Sequence, residues 1–187
     1  MMPFGSLWLP VVVSAVAVWL ASAVVWMVLP HHRNDFQGLS NEDDLRATLR
    51  KGTVRPGQYV VPHVADRKRM KEPDVQKRWT EGPNAILTVL PSRLPNLARQ
   101  LTAYFAFCVV VSFITAYIAR HTMSHGTATA TVFRMTATVA IAMYATARIP
   151  DAIFMGVPWG TTWRNVADGV AYGLITGAAF ALLWPTA

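Results

Sequence analysis

The chain alternates long apolar runs with one long polar interval. Positions 7–29, 101–119, 128–147 and 166–184 are each almost free of charge, and a helix needs roughly 20 such residues to cross about 30 Å of hydrocarbon. The first run, LWLPVVVSAVAVWLASAVVWMVL, has no charge at all. Pro10 falls near its start, where a missing backbone N–H costs least, and Trp8 and Trp26 stand toward its two ends. The ASA triplet at 21–23 resembles a signal-peptide cleavage site, but no basic segment precedes it and the apolar run continues past it, so a retained span is expected. The pattern predicts a membrane all-α protein. Its four transmembrane helices frame a small α/β extramembrane module at 30–100, between helices 1 and 2, and an interfacial loop at 148–165 joins helices 3 and 4.

Within the polar interval, SNEDDLRATLRK (40–51) opens on a cap-forming residue and three acids and closes on basic residues, which suits the helix dipole at both ends. Leu39, Leu45 and Leu49 give that helix one apolar face. VRPGQYVVPH (54–63) is a Pro-Gly turn leading into a β-prone run, and AILTVLPS (85–92) is a second such run. Between them PDVQKRWTEG (73–82) reads as a short helix ending at Gly82. Helix, strand, helix, strand in so short a segment gives a module too small to be very stable alone.

Composition agrees with the pattern. Hydrophobic residues make up 53% of the 187 and charged ones 14%, too apolar a balance for a single water-soluble domain. The net charge of +7 does not call for nucleic acid, because all Lys and Arg except Arg120, Arg134, Arg148 and Arg164 lie in the polar interval. Near the span ends, Arg33, Arg46, Arg93, Arg99, Arg148 and Arg164 outnumber Arg120 and Arg134 on the other side, so the positive-inside rule places 30–100 in the cytoplasm and both termini outside. A lone cysteine, Cys108, excludes an internal disulfide and a cysteine-rich metal cluster. The motifs of phosphate loops, dinucleotide folds, serine hydrolases and zinc peptidases are missing from the sequence, which leans away from an enzyme.

Three sets of residues carry what chemistry the sequence offers. His31 and His32 follow the first span, and His121 and His125 follow the second at i,i+4 spacing. They are candidate metal or haem ligands, but on the expected topology the two pairs lie on opposite faces of the bilayer and serve equally well as interfacial caps. Gly169, Gly173 and Gly177 repeat every fourth residue in the last span and form a helix-packing stripe, with Ala17 and Ala21 a weaker one in the first. Arg134 and Asp168 are the ionisable residues at membrane depth, the default place to look for function. Arg134 can snorkel outward, and Asp168 follows Arg164 by four residues and can pair with it along one helix face.

The segments LWLPVVVSAVAVWLASAVVWMVLPHHRNDF, PGQYVVPH, GPNAILTVLPS and PWGTTWRNVADGVAYG together resemble a family of small, uncharacterised bacterial integral membrane proteins with four predicted spans. The resemblance implies a bacterial inner-membrane location and carries no activity or cofactor. The expected function is a non-catalytic accessory or scaffold subunit that assembles with a larger membrane complex or with itself. The partners are then the lipid bilayer and other membrane subunits, without nucleic acid and without a predicted cofactor. Two alternatives stand beside it: a small-solute or ion permease acting as an oligomer, and a metal- or haem-binding membrane protein built on the interfacial histidines.

Overall fold

The structure, a computed structural model, describes residues 3–186 apart from the side chain of Phe4. It divides into two units, one formed by residues 1–36 with 96–187 and the other by 37–95.

The larger unit is helical. A short 3-10 turn, Phe4–Leu7, leads into α1, Trp8–Met27. After a second 3-10 turn at Pro30–His32, the unit resumes with α4, Leu97–Thr122, and α5, Thr129–Ala145; α6, Ile149–Met155, and α7, Trp159–Leu182, complete it. Four stretches, Gly5–Met27, Leu97–Thr122, Thr129–Met155 and Trp159–Leu182, are long and apolar enough to cross a membrane. α5 and α7 form the tightest pair, and α1 lies against both α4 and α7. One buried cluster gathers Leu7, Val11, Ala116, Ala119, Val132, Phe180 and Trp184 toward one end. A second, with Ala15, Val18, Cys108, Val111, Ala140, Tyr144 and Tyr172, fills the middle.

The helix contacts are made by small residues. A Cβ on Gly169 would lie 2.6 Å from Ala145 Cα, one on Gly173 2.6 Å from Ile141 N, and one on Gly177 2.6 Å from Ala137 Cβ. All three glycines therefore face α5 within the same chain, where residues 137, 141 and 145 form the matching row. On α1 the buried stripe runs through Val11, Ser14, Ala15, Val18 and Ser22. Ala17 and Ala21 lie half-buried at its border. Ser14 Oγ donates to Ser112 Oγ across to α4 at 2.9 Å.

Several boundaries differ from the sequence expectation, for local reasons. α4 begins four residues early because the Asn96 side chain caps it, accepting from the Arg99 N–H at 2.9 Å. Asn96→Ala should lower the unfolding free energy in detergent by about 1 kcal/mol, and Asn96→Ser should restore most of it in a thermal melt. The interfacial loop expected at 148–165 is mostly helix. Pro150 stands in the first turn of α6, Gly156 ends it at φ 69, and Pro158 caps α7 at Trp159. Thr161 and Thr162 are inside α7: Thr162 Oγ1 donates to Pro158 O and Thr161 Oγ1 to Asp35 Oδ1, each at 3.2 Å.

The smaller unit keeps the expected order of helix, strand, helix, strand: α2, Glu42–Lys51; β1, Gly57–Val61; α3, Pro73–Glu81; β2, Ala85–Val89. The strands pair antiparallel with Gly57 opposite Val89 and Val61 opposite Ala85. A 3-10 turn at Arg67–Lys71 is added, started by the Asp66 carboxylate accepting from the Lys68 N–H at 2.9 Å. α3 ends at Gly82, whose φ of 60 favours glycine. Val75 is the fully buried side chain of its helices.

Candidate functional site

Six polar side chains of the larger unit, His31, His32, Asp35, Thr161, Arg164 and Asp168, converge where the chain leaves α1. Pro30 opens a 3-10 turn over Pro30–His32, and this tight winding, with Asp35 three residues on, folds His31, His32 and Asp35 back against α7. The turn meets Thr161, Arg164 and Asp168, which lie at i, i+3 and i+7 and so share one helix face. Because α7 begins at Trp159, Asp168 is its tenth residue, roughly 13 Å along the axis at 1.5 Å per residue.

His32 is the hub. Its Nδ1 lies 2.6 Å from Asp35 Oδ2 and its Nε2 lies 2.6 Å from Asp168 Oδ2. Its ring stacks on Trp26 with centroids 4.0 Å apart and planes within 2° of parallel. His31 Nε2 reaches the other oxygen of Asp168, Oδ1, at 3.2 Å. Asp35 Oδ1 accepts from Thr161 Oγ1, from Arg164 Nε at 3.0 Å and from Arg164 Nη2. The His32 and Asp35 side chains are 4% and 1% exposed, so neither carboxylate contact of His32 is a surface ion pair.

Burial works against the ionised form of Asp35, but hydrogen bonds from His32, Arg164 and Thr161 and the charge of Arg164 outweigh it. Its carboxyl is held below the usual carboxylate range. Two carboxylates meet the two nitrogens of one imidazole, and Arg164 is the cationic partner of Asp35. A carboxylate oxygen and a ring nitrogen this close share a proton or another cation between them.

The centre adjoins open space. A cavity of about 580 Å³ is bounded by Trp26, Tyr104, Phe107, Tyr144, Tyr172 and Asp168, with Asn165 among its polar lining. A second, of about 310 Å³, reaches Asp35, Phe36 and Thr161. Arg148 and Asp151 line both and face each other at 3.7 Å. The first cavity is within the usual size range of small-ligand sites and has their mix of aromatic walls and few polar groups.

The expected residues fall out as follows. His31, His32 and Asp168 come together. His121 and His125 lie at the other end of the bundle, at and just beyond the last turn of α4, both exposed; the His121 ring N–H donates to Tyr117 O at 2.7 Å. Arg134 is exposed on α5 and donates to Ala130 O at 3.2 Å. Arg164 does not pair with Asp168 along the helix; each instead binds the 31–35 turn. Asp35 was missed by sequence reasoning, although the HHRND string carries the signal: an acid three residues after His32 reaches it on a tight turn.

Comparisons with family models, curated proteins and solved structures return no match, so the class of this protein rests on its own geometry: a bundle of four span-length helices enclosing a buried histidine–carboxylate centre beside a cavity.

Proposed function

We propose that the chain is an integral protein of the bacterial inner membrane that binds a small cation at the His31–His32–Asp168 centre and passes it in the manner of a permease. The observation that carries the reading is the convergence of two imidazoles and two carboxylates, with His32 and Asp35 almost fully buried, along a span-length helix and beside a cavity. Ionisable groups at that depth are costly and mark ion or substrate pathways. Membrane insertion is supported by the inside-out character of the bundle. Small polar side chains such as Ser14, Ser112, Thr115, Thr136 and Thr176 are buried, while Leu20, Val24, Val110, Phe113 and Leu182 are exposed on the outer faces. Orientation follows the basic flanks, with 30–100 cytoplasmic and both termini outside.

Proteoliposomes loaded with cation-sensitive dyes test the reading directly. Wild-type protein should give flux above protein-free vesicles, and Asp168→Asn should reduce it at least tenfold. Flux equal to empty vesicles for monovalent, divalent and organic cations overturns it. Reporter fusions at the two termini and within 37–95 check the orientation separately.

A second reading, the accessory subunit, is favoured by one feature. The two-stranded sheet of the smaller unit leaves both outer edges unpaired among the described residues, a template for strand addition by a partner. Gentle purification that yields a stoichiometric second protein supports it; a lone chain of 20.6 kDa counts against it.

A further inference from the structure

We infer that the cation of this centre is a divalent first-row transition metal ion, bound by Nε2 of His31, Nε2 of His32 and the carboxylate of Asp168. The inference rests on the reading of the centre as a cation site and gives it a ligand class.

Geometry is the first argument. Both imidazoles turn the same nitrogen toward one carboxylate, His31 at 3.2 Å from Oδ1 and His32 at 2.6 Å from Oδ2. One ligand atom from each of the three residues lies within 4.8 Å of the others. Ligands of a first-row ion at about 2.0–2.2 Å sit roughly 3 Å from one another. An ion between His32 and Asp168 therefore needs that contact to widen by only a few tenths of an ångström.

The outer partner is the second argument. A histidine that ligates through Nε2 almost always has its Nδ1–H held by a carboxylate or carbonyl. Here Asp35 takes that place at 2.6 Å and is itself fixed by Arg164 and Thr161. Nothing in a simple helix cap calls for a buried carboxylate held by two other side chains behind an imidazole.

Ligand chemistry is the third. Two imidazoles and one carboxylate suit zinc, iron, cobalt, nickel or manganese, whereas magnesium and calcium prefer oxygen sets. Three protein ligands leave positions open for water or a passing ligand. His31 is one-third exposed, which gives the ion an entry, and Asp168 forms part of the wall of the larger cavity.

Cobalt(II) is the probe. Full-length protein in detergent, stripped with a chelator and dialysed, should bind one Co²⁺ per chain and develop visible d–d absorption. Zn²⁺ should displace it. Asp168→Asn and His31→Gln should each remove the band while keeping a monodisperse elution profile. Asp35→Asn, acting as a positioning residue, should keep the band but weaken binding about 10- to 100-fold, and His121→Ala/His125→Ala should change nothing.

A featureless Co²⁺ titration of folded wild-type protein overturns the inference and leaves a proton or an organic cation in the centre. So does a band that survives Asp168→Asn or vanishes with the distal histidines. Flux is a separate readout: cation flux with no Co²⁺ band removes the metal and keeps the carrier, while a Co²⁺ band with no flux removes the carrier and keeps the metal site.

Discussion

Gly173→Leu should abolish the folded bundle rather than an assembly built from it. A Cβ at this position would lie 2.6 Å from Ile141 N and 2.9 Å from Ile141 Cα, so the obstacle is backbone and cannot rotate away. Relief requires α5 and α7 to separate, and that also releases the contacts of Gly169 with Ala145 and of Gly177 with Ala137. Ordinary overpacking costs about 1–3 kcal/mol; displacing the tightest helix pair along its full row belongs at or above the top of that range. Thermal melts in detergent should show Gly173→Leu aggregated or melting far below wild type, with Gly173→Ala intermediate. Gly160→Ala in the same helix should be close to neutral, because its Cβ meets only Arg164 Nη1 at 3.7 Å. A Gly173→Leu protein that melts like wild type and loses only a higher oligomer returns the stripe to an intermolecular role.

The four long apolar helices and the order of the smaller unit were legible because both depend on local signals. Twenty apolar residues admit few alternatives, and the acid-first, base-last pattern of α2 and the glycine after α3 mark helix ends by themselves. The glycine stripe was legible as a contact surface, but its partner was not. Residues 137, 141 and 145 are an Ala-Ile-Ala row with nothing to single it out until α5 is placed.

The histidine–carboxylate centre was the least legible part, and the reason is sequence separation. His32 and Asp168 are 136 positions apart, with the whole smaller unit and two long helices between them. Read along the chain, Asp168 has Arg164 at i–4 as a natural partner, and local reasoning stops there. The fold brings in a competitor, the 31–35 turn, which offers Arg164 a carboxylate and Asp168 two imidazoles. Starting the last span at residue 166, where its apolar run begins, rather than at Trp159 compounded this, because it set Asp168 in the first turn, where a carboxylate is unremarkable.

Asp35→Ala should be the most damaging single change within the centre, and the way it is rescued reports how the centre is built. Its side chain is 1% exposed and holds Arg164, Thr161 and His32 at once. Removing it leaves the Arg164 guanidinium and a buried imidazole nitrogen without their acceptor. Breaking a buried pair from one side costs about 3–5 kcal/mol, and because the Arg164 side chain is 35% exposed and can turn to water, the lower end applies. Replacing both members by apolar groups is a different change, since no uncompensated charge remains. Asp35→Ala/Arg164→Met should therefore melt above Asp35→Ala alone, a non-additive rescue of about 1–3 kcal/mol. Additive melts would mean that the pair contributes no coupling and that Asp35 acts through His32 alone. The rescued double variant also separates stability from ligand positioning. It keeps His31, His32 and Asp168 but leaves His32 Nδ1 without its carboxylate, so restored folding with weakened Co²⁺ binding assigns Asp35 to orientation of the imidazole, and restored folding with restored binding assigns it to stability alone.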